Sequence, residues 1–329
     1  MRRLVSAVAA GAALGAVAQR LAEARDRRRF PMPGRLVEVD GTALHVVVEG
    51  SGPVVLIDSG LGGSCLEWAA VARDLAHDFT VVRYDRPGFG WSPGSTCDRS
   101  AVAAAQRIRG LVAALGLTAP VLLVGHSLGG LHVRLVASLY PDLVRGLVLV
   151  DPSHEDMLDD PSAARNAAVM NKVMSAFAVT APLGTPRLVG RLYTRMVTSA
   201  IRATLDDEMR TSMHRSTLLT ACSVAGLRGA VAEMNALPVS LQQAKGMGPL
   251  PDVPVTLITA GASPRTPSEE KVRAVIRELH ESVVTSVPQG RLVVASESGH
   301  LVPIDEPDLV VQCIRETADA PVASTLSGA

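Results

Sequence analysis

The chain is short of aromatic side chains and of charge. Aromatics make up 3% of its 329 residues and charged residues 19%, beside 47% hydrophobic residues. So little charge against so much apolar surface excludes a disordered chain and predicts a sizeable core. Neither sign of charge dominates, with 32 Lys+Arg against 32 Asp+Glu. That balance excludes a polyanionic partner such as nucleic acid. The four cysteines, Cys65, Cys97, Cys222 and Cys313, are widely spaced and form no C-x-x-C pair. A structural metal site is thereby excluded and free buried thiols are expected, with a disulfide as the alternative in an oxidising compartment.

A long uncharged run is also missing at the N-terminus. The stretch Leu4–Ala18 has 15 residues, below the roughly 18–20 that span a bilayer comfortably. Arg2 and Arg3 precede it, and Arg20, Arg25, Arg27, Arg28 and Arg29 follow. Residues 1–30 are read first as a single membrane anchor, giving a membrane-associated protein. Positive charge at both ends leaves its orientation open. Two alternatives stand beside it. One is a secretory signal peptide with Ala16-Val17-Ala18 as the cleavage site. The other is an Ala-rich amphipathic helix packed on the protein or on a partner, in a cytoplasmic protein. Phe30-Pro31-Met32-Pro33-Gly34 reads as a linker.

What the chain does have is a strand, a sharp turn and a helix over residues 121–139. Four apolar residues, Val121–Val124, run into Gly125-His126-Ser127-Leu128-Gly129-Gly130, and apolar positions at Leu131, Leu135, Val136 and Leu139 follow. A serine at such a turn has a strained backbone, so its neighbours must pack with almost no side chain.

Strands and helices alternate on either side of this motif, which implies a mostly parallel sheet covered on both faces. Residues 35–48 read as a hairpin turning at Asp40-Gly41. Val54–Asp58 leads into the glycine-rich Ser59-Gly60-Leu61-Gly62-Gly63-Ser64. Phe79–Tyr84 leads into Asp85-Arg86-Pro87-Gly88-Phe89-Gly90-Trp91-Ser92, and Gly146–Val150 ends at Asp151-Pro152. The rhythm breaks over 154–250, a helical stretch with eight of the ten methionines, and resumes at Val253–Ala260. Unbranched methionines suit either an adaptable apolar surface or ordinary core. The organisation read from this is a core over 31–153, a helical cap over 154–250, a second core part over 251–318 and a disordered tail over 319–329.

Several separate stretches resemble one family. Gly125-His126-Ser127-Leu128-Gly129-Gly130 resembles the nucleophile elbow of the α/β-hydrolase superfamily, and residues 85–92 resemble its D-x-x-G-x-G-x-S loop. Ser298-Gly299-His300 through Asp305-Glu306-Pro307 resembles its histidine loop, and Gly60-Leu61-Gly62 lies where the family has its oxyanion loop. The resemblance covers about residues 35–317. It implies an α/β-hydrolase fold with a helical cap and serine-hydrolase chemistry that needs no cofactor or metal. The basic N-terminus followed by this core is also similar to a bacterial subgroup with an N-terminal membrane segment.

The resemblance assigns Ser127 as nucleophile and His300 as the base that takes its proton. The backbone N–H groups of Leu61 and Leu128 would receive the oxyanion. The acid is less direct. The family usually carries it after the strand at 253–260, yet Gly261-Ala262-Ser263-Pro264-Arg265-Thr266-Pro267 has no carboxylate. Some members, haloalkane dehalogenases among them, place it one strand earlier, where Asp151 stands here. Asp151 is preferred, with Glu269 and Glu270 as alternatives. His126, His132 and His154 are read as non-catalytic. Serine in place of aspartate argues against dehalogenase and epoxide-hydrolase chemistry. The Met-rich, aromatic-poor cap suggests small to medium lipophilic esters. An acyltransferase, a lactone, amide or carbon–carbon bond hydrolase, and a non-catalytic ligand-binding protein are the alternatives.

Overall fold

Short runs of Val, Leu and Ile become strands buried on both faces, because helices cover the sheet from either side. In the computed structural model, which describes residues 2–117, 120–187, 207–263 and 266–321, the central strands are β3 (Val54–Asp58), β5 (Val121–His126), β6 (Val144–Val150) and β7 (Val255–Ala260). β4 (Thr80–Asp85) and β8 (Gly290–Ala295) flank them. The hairpin of β1 (Arg35–Val39) and β2 (Thr42–Glu49) turns on Asp40 and Gly41, both at positive φ. Two such residues define the tight turn whose twist suits a hairpin.

The eight strands pair in the order β1-β2-β4-β3-β5-β6-β7-β8. β1 and β2 run antiparallel to their neighbours, and every pair from β4 to β8 is parallel. One face packs on α3 (Ala101–Ala114), α4 (Leu128–Leu139) and the end of α8 (Pro267–Thr285). The other packs on α2 (Ala69–Leu75) and α9 (Pro307–Asp319). The sheet's C-terminal edge therefore gathers the loops after β3, β4, β5, β6 and β8 at one end of the molecule.

Between β6 and β7 the described elements are helices, chiefly α5 (Pro161–Thr180), α6 (Asp207–Leu219) and α7 (Val224–Lys245). The methionines divide by position. Met209 and Met213 are buried, whereas Met170 is exposed on α5. Met196 and the tail 322–329, expected to be disordered, lie outside the described residues.

The expectation of a membrane anchor over residues 4–18 is overturned. No described helix is long and apolar enough to cross a membrane. The segment is instead part of one helix, α1 (Arg2–Arg29), and that helix is seated on the cap by polar side chains. Gln19 Nε2 donates to the Cys222 carbonyl at 3.0 Å, and Glu23 accepts the Val224 N–H at 2.8 Å. Asp26 pairs with Arg187 at 2.6 Å. A Cβ on Gly15 would sit 2.6 Å from the Leu183 carbonyl oxygen, so α1 meets the cap backbone directly. This matches the alternative of a helix packed on the protein. Phe30, read as linker, is also corrected: it is buried beside Trp91, Leu66 and Leu219, and its carbonyl accepts the Trp91 indole N–H at 3.2 Å.

Candidate active site

Ser127 stands between the end of β5 and the start of α4 with φ 51° and ψ −119°, a conformation non-glycine residues rarely adopt. The small neighbours are required by space. A Cβ on Gly125 would collide with the Gly129 carbonyl, and one on Gly129 would lie 2.6 Å from the Ser59 carbonyl oxygen. A Cβ on Gly130 would meet the Pro152 side chain at 2.5 Å. Strand, turn and helix can close together only where these side chains are missing.

Three predicted residues converge here. His300 Nε2 lies 3.0 Å from Ser127 Oγ, and His300 Nδ1 lies 2.6 Å from Asp151 Oδ2. A carboxylate facing Nδ1 accepts, so Nδ1 carries the proton and Nε2 presents its lone pair to the serine hydroxyl. Glu269 and Glu270, the alternative acids, are exposed in the first turn of α8. Asp151 is the carboxylate hydrogen-bonded to His300.

Asp151 is firmly held. Its own φ is 40°, its N–H donates to the Ile258 carbonyl at 2.7 Å, and its Oδ1 accepts the Ala260 N–H at 3.0 Å. Burial alone raises a carboxylate's pKa, but here the His300 hydrogen bond and charge and the Ala260 N–H outweigh it, so Asp151 stays below its ordinary value. The backbone at the end of β7 thus supports the acid from the strand that carries none itself.

The histidine loop is pinned from both sides. Glu306 accepts the Glu297 N–H at 2.9 Å and the Ser298 hydroxyl at 2.6 Å. His126 Nε2 donates to the His300 carbonyl at 2.8 Å, and the two rings lie 4.7 Å apart. Burial, and then the neighbouring His300, lower the His126 pKa to about 3, so it is neutral at physiological pH. Sequence reasoning gave His126 no part in the site; its position before the serine was the only signal. His132 bonds Asp58 at 2.8 Å, and His154 accepts the Asp156 N–H at 3.1 Å; neither bonds Ser127 or His300.

Beside Ser127 runs the glycine-rich loop. A Cβ on Gly60 would lie 3.3 Å from Ser127 Cβ and 2.9 Å from His126 Nδ1. Leu61 follows it, and Leu128 is the first residue of α4, where a helix leaves its N–H groups without intrahelical acceptors. Underneath, Asp85 gathers the 85–92 loop: it accepts the Cys65 N–H at 2.9 Å, the Trp91 N–H at 3.1 Å and a His45 contact at 2.7 Å. Gly90, at φ 51°, leaves room for this carboxylate.

His300 remains 55% exposed at its side chain. Next to it, Leu301 packs with Ile304 and with Met209 and Met213 of the cap helix α6. Leu61 packs against the main core, as do Met157, Leu158 and Met234. Ser127 itself is half-buried.

The chain is similar to known proteins to different extents. An uncharacterized protein of Mycobacterium tuberculosis is 39% identical over 103 residues, 31% of this chain and 30% of that protein. The chain spans between about a third and a half of the length of the curated relatives it matches. Among solved structures, a thermophilic esterase from Thermogutta terrifontis aligns over 86% of this chain and 96% of its own, with a TM-score of 0.62 and 23% identity. The enol-lactonase from Burkholderia xenovorans aligns over 87% and 100%, with a TM-score of 0.60 and 19% identity. Residues 53–307, from the strand before the glycine-rich loop to the start of the last helix, match the model of the alpha/beta hydrolase fold. With the sheet order and the turn at Ser127, this makes the chain a member of the alpha/beta hydrolase fold family.

Proposed function

We propose that the protein hydrolyses carboxylic esters of small to medium lipophilic acyl groups through an acyl-enzyme on Ser127. The observation that carries this reading is the hydrogen-bonded series from Ser127 Oγ through His300 to Asp151. A neutral serine hydroxyl is a weak nucleophile, and a histidine aligned on it removes the proton as attack proceeds.

The steps balance without a cofactor. Ser127 Oγ attacks the ester carbonyl carbon while His300 Nε2 takes the hydroxyl proton. The carbonyl oxygen becomes an oxyanion that receives the N–H groups of Leu61 and Leu128. Asp151 stabilises the imidazolium and fixes its orientation. The C–O bond to the alcohol breaks as His300 returns its proton to the leaving oxygen. Water then repeats the sequence on the acyl-enzyme and releases the acid. The exposure of His300 gives water a direct approach to the acyl-enzyme. The apolar residues beside the site in sequence, Leu61 and Leu301, the latter packed with Met209 and Met213 of the cap, favour an uncharged acyl group.

The test is turnover of a chain-length series of p-nitrophenyl esters by the whole chain and three variants. Ser127→Ala is expected to abolish turnover, and Asp151→Asn to lower kcat by about 10³–10⁴-fold, as for an acid that sets the tautomer. Glu270→Gln is expected to stay within about twofold of the parent, since a group outside the hydrogen-bonded series sets no barrier. Parent-like turnover by Ser127→Ala overturns the reading.

A further inference from the structure

Arg86, in the loop after β4, is 4% exposed and has all five of its N–H donors engaged. Nε donates to Glu233 Oε1 at 2.7 Å and Nη2 to Glu233 Oε2 at 3.0 Å. Nη1 donates to Asp58 Oδ1 at 2.8 Å and to the Ser59 carbonyl at 2.6 Å. The second Nη2 donor goes to the Gly60 carbonyl at 2.6 Å. Glu233 itself comes from the cap helix α7, is 2% exposed, and also accepts the Gly62 N–H at 3.2 Å. One guanidinium and one carboxylate therefore tie the end of β3, the glycine-rich loop and the cap together.

The peptide group between Gly60 and Leu61 makes this consequential. In a trans peptide the C=O and N–H point in opposite directions. The Gly60 carbonyl is fixed by Arg86 and by the Gly63 N–H at 3.0 Å. The Leu61 N–H must then point away from Arg86. Turning that peptide over would break both bonds and bury an unpaired guanidinium N–H, which is costly.

We propose that Glu233 is a positioning residue: by clamping Arg86 and the Gly62 N–H from the cap, it holds the Gly60–Leu61 peptide in the orientation that offers its N–H to the oxyanion. The inference rests on the serine-hydrolase reading above. It makes the seating of the cap a determinant of kcat as well as of substrate fit. Glu233→Gln is the direct probe. Either way round, the new amide NH₂ faces an N–H donor, of Arg86 alone or of Arg86 and Gly62, so one or two contacts are lost while size is kept.

The experiment compares parent, Ser127→Ala and Glu233→Gln whole chains on p-nitrophenyl butyrate, with circular dichroism to establish folding. Glu233→Gln is expected to lower kcat by about 10–100-fold with KM within about threefold, as for a misdirected oxyanion donor. A trifluoromethyl ketone, which forms a tetrahedral adduct on serine, should weaken by a similar factor. If Glu233→Gln does not fold, Glu233→Asp, too short to reach both Arg86 and Gly62, reads the same split. An inactive Ser127→Ala with an unchanged Glu233→Gln kcat, or with a KM effect alone, overturns this inference and leaves the serine hydrolase standing. Parent-like turnover by Ser127→Ala overturns both.

Discussion

Single side chains at the turn are fixed by space. Gly129→Ala would drive a methyl group into the Asp58 and Ser59 carbonyls. Overpacking against backbone costs about 1–3 kcal/mol, and here it would also shift the loop that carries Leu61. Gly11, inside α1 with nothing within 4 Å, gives the opposite sign: Gly11→Ala should add about 0.5–1 kcal/mol to that helix. Urea unfolding of the two variants reads the contrast, with esterase assays expected to fall only for Gly129→Ala. Ser127 and His300 were legible because each sits in a short motif, whereas Asp151 was legible only as the carboxylate at the end of a strand, alongside the alternatives Glu269 and Glu270. His126 was not, because its contact is to a backbone carbonyl 174 residues away, and no pattern of side chains marks such a bond.

Elements were legible in proportion to their burial. The strands announced themselves as apolar runs, and the hairpin through Asp40-Gly41. α1 was misread because hydropathy assumes that an apolar face seeks cover. Here Gln19 and Asp26 are buried while Leu14, Val17 and Leu21 are exposed, so the helix docks by its polar side. Glu23 accepts the N–H of the first residue of α7, a capping role that one side chain plays for another helix. Glu23→Ala is therefore expected to cost about 1 kcal/mol and to speed tryptic cleavage within Arg25–Arg29. A cleavage rate equal to the parent's would remove the case that this carboxylate seats α1.

At the scale of the whole molecule, charge is balanced and the isoelectric point lies near 7.1. pH acts instead through a few enclosed groups. Glu67 joins the turn after the glycine-rich loop to cap helix α6, accepting the Ser64 N–H at 3.3 Å and the Ser216 hydroxyl at 3.1 Å. Burial raises its pKa from 4.5 to about 7, against the lowering effect of those hydrogen bonds. The folded state therefore holds a proton that the unfolded state has lost between those two values. Stability from this group is present below pH 4.5 and declines as pH rises through 7. Between pH 5 and 8 the melting temperature of the parent should fall relative to that of Glu67→Gln; parallel curves would show that this carboxyl does not titrate there. The docking of α1 by its polar side also has a practical bearing on recombinant production. Removing residues 1–30 would strip the Val224 N–H, the Cys222 carbonyl and the Arg187 guanidinium of their partners at once. A chain expressed with those residues in place keeps all three partners.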